Sequence, residues 1–175
     1  PGSDEGQYRV RVKNETVGSA VENVELYIPV PKQGWNPGAD FTGTYGPFQF
    51  DMTATGILLP EEGGTEWKAF YTTDRDISKA TWTEIGSGTE LPETVTMFKV
   101  TAASLPAEDT VYVIVVDVTA DTARAGRENY FRSSYQCTNQ KPDQTSFVAA
   151  EIPGERQCLI TFDKGDHGDL AGETG

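Results

Sequence analysis

Alternation with a period of two dominates the chain. Gln7 to Lys13, QYRVRVK, sets Tyr8, Val10 and Val12 on one side and Arg9, Arg11 and Lys13 on the other. That is the pattern of a strand with one buried face. Val24, Leu26, Ile28 and Val30 repeat it against Glu25, Tyr27, Pro29 and Pro31. The turn-rich NETVGS lies between the two segments, which predicts an antiparallel hairpin with a long turn. Proline cannot donate to a sheet ladder. Pro29 and Pro31 therefore predict a strand end or sheet edge, with their outer phase guarding against unwanted pairing.

The same period continues downstream. Phe48, Phe50 and Met52 alternate with Gln49, Asp51 and Thr53, predicting a third strand. EWKAFYT at 66–72 puts Trp67, Ala69 and Tyr71 on one face, and ATWTEI predicts a strand carrying Trp82. TVTMFKVTA follows. TVYVIVVDVTA is apolar on both phases, as a central strand buried on both faces would be. NYFRSSYQC at 129–137 and CLITF at 158–162 complete the set. DTARAGRE has room for one helical turn, and no segment sustains a 3.6-residue period. The prediction is an all-β, two-sheet antiparallel sandwich of Ig-like type. Its core is expected to hold Val10, Val12, Val24, Leu26, Ile28, Trp67, Tyr71 and one face of Val111–Val116.

Composition fits one globular domain of 175 residues, 37% hydrophobic and 10% aromatic. The net charge of −13 changes the functional picture more. Phosphate backbones and anionic membranes repel such a chain, so no nucleic-acid partner is expected. The densest basic run, Arg124, Arg127 and Arg132, is interrupted by Glu128. No stretch approaches the roughly 20 apolar residues of a membrane span, so no membrane insertion is expected. Residues 1–6, opening Pro1-Gly2-Ser3, read as a cloning remnant and a disordered start, and the chain as a piece of a longer protein.

A single histidine, His167, sits in a Gly/Asp-rich tail. Histidine does most general-base and zinc chemistry. With no nucleophile–base pair or phosphate-cradling glycine loop visible, no catalytic residue, metal or cofactor is expected, and the chain is read as non-enzymatic. Asp163, Asp166 and Asp169 lack the spacing of an EF-hand loop and read as a solvated turn. Asn14-Glu15-Thr16 matches a glycosylation triplet, which arises often by chance. Trp35 and Tyr45, in the loop QGWNPGADFTGTY, are the aromatics placed to meet a ligand such as a sugar. Trp67 and Tyr71 alternate like core residues.

Three segments together resemble a known module. YRVRVKNETVGSAVENVELYIPVPKQGW is similar to the start of the Ig-like conserved repeat of large Gram-positive bacterial cell-surface and adhesin proteins. FKVTAASLPAEDTVYVIVVDV resembles its later part, and GRENYFRSSY its closing strand. The tail CLITFDKGDHGDLAGETG resembles the opening of a Listeria–Bacteroides-type repeat. The resemblance implies a sandwich over 1–157. Residues 158–175 are then either its final strand or the start of a following repeat.

It also implies an extracellular, cell-wall-anchored protein in which this module is a stalk, spacer or adhesion domain. The expected partners are neighbouring modules and a host or cell-surface protein or glycan. A carbohydrate-binding module of a secreted enzyme or adhesin is the alternative. An extracellular site would permit a Cys137–Cys158 disulfide, against the plainer reading of two separate buried thiols. The family sometimes carries an internal Lys–Asn bond, for which Lys99, in phase with Val95 and Met97, with Asn129 or Asn139, is the candidate set. The plainer reading is a solvated lysine.

Overall fold

The computed structural model describes residues 3–14, 20–37, 47–61, 66–106, 110–121, 129–131, 133–137, 140–144, 148–150 and 154–162. They form twelve strands: β1 Ser3–Asn14, β2 Val21–Pro29, β3 Thr53–Leu58, β4 Trp67–Thr72, β5 Thr83–Glu84, β6 Met97–Leu105, β7 Tyr112–Asp121, β8 Asn129–Phe131, β9 Ser134–Cys137, β10 Gln140–Gln144, β11 Val148–Ala150 and β12 Gly154–Phe162. One 3-10 turn, Ile77–Lys79, is the only helical element among the described residues.

Two sheets pack face to face as a β-sandwich. One has the order β12-β1-β7-β3, the other β10-β9-β2-β6-β4-β5, and β8 and β11 make a separate ribbon. Pairing is antiparallel throughout except between β1 and β12, which run parallel.

The core forms where the two inner faces meet. Tyr8, Val10 and Val12 of β1 and Tyr112, Ile114 and Val116 of β7 face Val24, Leu26 and Ile28 of β2 and Phe98, Val100 and Ala102 of β6, all buried. Full burial of each such aliphatic side chain stabilises by about 1.5–3 kcal/mol. Trp67 reaches across the core to Tyr112, with ring centroids 5.6 Å apart. Tyr71 lies at the margin, half-buried against the core.

Several expectations are corrected. β1 and β2 are not a hairpin, because they belong to opposite sheets. Each finds its partners far along the chain, β1 in β7 and β12, β2 in β6 and β9. Phe48, Phe50 and Met52 are buried as expected, but in irregular chain, and the third strand starts only at Thr53. NYFRSSYQC divides into β8 and β9. β7 is central in its sheet, yet it alternates buried with half-buried positions and is dry on one face only. Residues 3–6 are strand, with Ser3 paired to Asp121, rather than a disordered start. Residues 158–162 form the end of β12, beside β1.

Pro29 and Pro31 stand at a strand end but not on an exposed edge. β2 is an interior strand, and β9 pairs only with Glu25–Tyr27, so at Pro29 the ladder continues on the β6 side alone. Both prolines are buried. Each lacks a donor, but each carbonyl is used: Pro29 accepts from the Tyr8 hydroxyl at 2.8 Å, and Pro31 from the Met52 amide at 2.9 Å.

Candidate functional site

The outer face of the six-stranded sheet gathers a cluster of aromatic and charged side chains. Alternation forces the first members outward. With Leu26 and Ile28 facing the core, Tyr27 must point away, and with Phe98 and Val100 inward, so must Lys99. Phe70, between core-facing Ala69 and half-buried Tyr71, takes the same outer phase. Register then sets them side by side: Tyr27 opposite Lys99, Lys99 opposite Phe70, and Phe70 opposite Glu84.

Trp82 arrives by a different route. After β4 the chain makes the 3-10 turn, anchored by buried Ile77, and returns as the two-residue β5. Asp74 fixes the return. Its carboxylate accepts from the Thr81 amide at 2.8 Å and the Thr72 hydroxyl at 3.1 Å. The Thr96 hydroxyl donates to the Asp74 carbonyl. Trp82 is thereby laid over the outer face.

The Lys99 ammonium sits 4.9 Å from the Trp82 ring centroid and 5.0 Å from that of Phe70. A cation held over two ring faces is attracted by both quadrupoles, about 0.5–1 kcal/mol each at a solvent-accessible site. Tyr27 meets Trp82 at 5.9 Å with the rings tilted by 59°, within the preferred range for aromatic pairs. The Tyr27 hydroxyl donates to Glu25 at 2.9 Å. Partial burial, the bond to Glu25 and the Glu25 charge together hold the Tyr27 phenol well above the usual tyrosine range. The three rings, the ammonium and the carboxylate set apolar faces beside donors and acceptors on one face of the sheet.

The residues singled out from the sequence are placed elsewhere or differently. Trp35 is buried, with its indole N–H donating to the Arg75 carbonyl at 3.2 Å and its ring 5.9 Å from Phe48. It is part of the packing rather than a loop ligand. The Gly34 amide donates to the Phe48 carbonyl and the Phe48 amide to the Trp35 carbonyl, tying these two stretches side by side, with Gly34 at φ 77° supplying the turn. Lys99 shares the strand phase of Met97, but Met97 is buried at the strand end whereas Lys99 is half-buried, with its ammonium over the Phe70 and Trp82 rings.

Asn129 is buried in β8. Its side-chain oxygen accepts from the Gln49 amide at 2.8 Å, and its amide donates to the Phe50 carbonyl at 3.0 Å. It holds the irregular Phe48–Phe50 stretch in place. Cys137 ends β9 in one sheet, where burial pushes its thiol up. Cys158 lies on β12 of the other sheet, paired in register with Val10. Asn14 of the glycosylation triplet is buried, its amide donating to the Leu105 carbonyl at 2.8 Å. Tyr45, Asn139, Arg124, Arg127, Arg132, His167 and the aspartates at 163, 166 and 169 lie outside the described residues.

Reading the sequence missed two features. The outward aromatics left a signal, since Tyr27 and Phe70 occupy polar phases of their strands. The buried lysine left less. Lys32 donates to the Met52 carbonyl at 2.7 Å and the Glu93 carbonyl at 2.9 Å, and desolvation pulls its pKa below the usual lysine value. Among the described residues no group of three or more His, Cys, Asp or Glu side chains could hold a metal ion, and no helix is long and apolar enough to cross a membrane. Comparison with family models, with curated proteins and with solved structures found no match.

Proposed function

We propose that this chain is a non-catalytic module of a Gram-positive-type surface protein, serving as a stalk or spacer between neighbouring modules. The observation that carries the reading is the parallel pairing of β1 with β12. Gly6 lies beside Gly154 and Asn14 beside Phe162, so the first strand begins at one pole of the sandwich and the last strand ends at the opposite pole. A chain routed this way adds its full strand length to the distance spanned. Nine paired residues at about 3.3 Å each extend roughly 30 Å. Modules joined through such poles stack in line. Family likeness in the strand and turn sequences supports the extracellular, cell-wall-anchored setting. The acidic charge is compatible with that setting and opposes association with nucleic acid.

Solution scattering from two copies joined in tandem tests this. The expected result is a particle about twice as long as one copy. A folded-back pair no longer than a single copy would overturn the spacer reading.

A second reading, adhesion to carbohydrate, draws on the outer-face cluster of Tyr27, Phe70, Trp82 and Lys99. Aromatic faces beside polar groups suit the two-sided character of a sugar ring. A glycan array separates the readings. Binding that disappears in Trp82→Ala would favour adhesion, and absence of binding to any glycan would leave the spacer.

A further inference from the structure

We infer that β1 and β12 form a mechanical clamp that resists unfolding when the module is pulled along its length. The inference rests on the spacer reading for its use but not for its measurement. Tension applied through the two ends draws β1 out from the Ser3 pole and β12 out from the Phe162 pole, in opposite directions along neighbouring strands. The hydrogen bonds of the ladder lie across that direction. Sliding therefore loads all of the bonds between Gly6–Asn14 and Gly154–Phe162 together. A ladder pulled open from one end would instead lose them one pair at a time.

Three further features oppose the slide. β1 is held on its other side by β7 across ten partner residues, Ser3 with Asp121 through Val12 with Tyr112, so β1 stays fixed in its sheet and the slide is confined to the β1–β12 ladder. Tyr8, Val10 and Val12 project into the core at 3%, 1% and 0% exposure. A one-residue slip would turn that set outward, and a two-residue slip would drag it past the facing side chains. The Tyr8 hydroxyl is also fixed to the Pro29 carbonyl of the opposite sheet. Of the two loaded strands, β1 is tied down on both edges and one face, whereas β12 is the edge strand and is held in that sheet by the β1 ladder.

Single-molecule pulling on the whole chain tests the clamp in two geometries. Both use the same Cys137→Ala, Cys158→Ala background. Handles at the first and last residues load β1 against β12 in shear. Cysteine handles at Glu5→Cys and Asp121→Cys, near one another at one pole, peel β1 from β7 instead. Should these handles lower the thermal midpoint, Glu22→Cys with Ser104→Cys, partners near the end of the β2–β6 ladder, give the peeling comparison. The expected result is a mean rupture force several-fold higher end to end than in the peeling geometry at equal loading rate. Equal or lower end-to-end force overturns the clamp. Low end-to-end force with an extended tandem particle would sink the clamp alone, whereas a folded-back tandem would sink the spacer reading whatever the force.

Discussion

The Tyr8 hydroxyl in β1 donates to the Pro29 carbonyl in β2 at 2.8 Å, a bond that crosses from one sheet of the sandwich to the other. Both residues are buried. Pro29 ends its strand, and its carbonyl receives the tyrosine's only donor. Tyr8→Phe keeps the ring and leaves that carbonyl without this partner in a dry site. The expected cost is about 1–3 kcal/mol. Urea unfolding should show a lower midpoint with an unchanged slope. A midpoint equal to that of the parent would mean the bond adds nothing net.

Lys32 fixes two loops through the Met52 and Glu93 carbonyls. Lys32→Met should destabilise the fold by about 2 kcal/mol at neutral pH, because both carbonyls lose a charged donor. The pH dependence has a definite sign. Desolvation lowers the folded-state pKa, so just below the ordinary lysine value the unfolded chain holds more protons than the folded one. Stability due to this group therefore rises with pH in that window. The gap between the parent and Lys32→Met should widen there, and a gap that narrows contradicts the assignment.

Tyr27 carries the opposite sign. Its phenol stays protonated in the folded state above the ordinary tyrosine pKa, through burial and then Glu25. Its contribution is complete below that value and is lost as pH rises through the raised one. Tyr27→Phe should flatten the alkaline loss of stability. In a phenolate absorbance titration it should remove one tyrosine that ionises above the usual tyrosine range. Loss of an early-ionising one instead would refute the placement.

The contact between Lys99 and Trp82 can be isolated by a double-mutant cycle with Lys99→Met and Trp82→Leu. The expected coupling is about 0.5–1 kcal/mol, that of a cation over an indole at a half-exposed site. Additive effects of the two changes would show that the 4.9 Å approach carries no energy of its own.

The sequence determined which face of a regularly alternating strand turns to the core. Strict alternation at Tyr8, Val10 and Val12, and at Val24, Leu26 and Ile28, predicts the buried face of each strand, and all six are buried. A strand has only two faces, so local pattern is enough. It predicted the all-β class for the same reason.

Which strand lies beside which was decided by the tertiary structure. β1 and β2 are adjacent in sequence and look like a hairpin, yet they face each other across the core. A one-sided strand satisfies its apolar face equally well beside its neighbour or opposite it. Only the register with β7 and β12 on one side and β6 and β9 on the other settles the choice. The burial of Trp35 and the exposure of Trp82 were decided on the same ground. Trp35, in a loop rich in glycine and proline, is enclosed because Phe48 and the Arg75 carbonyl close over it. Trp82 stays half-exposed because β5 is held at the margin of its sheet by Asp74 and the β4 pairing. Exposure of a side chain depends on what the rest of the chain brings near it, and no window of neighbouring residues contains that information.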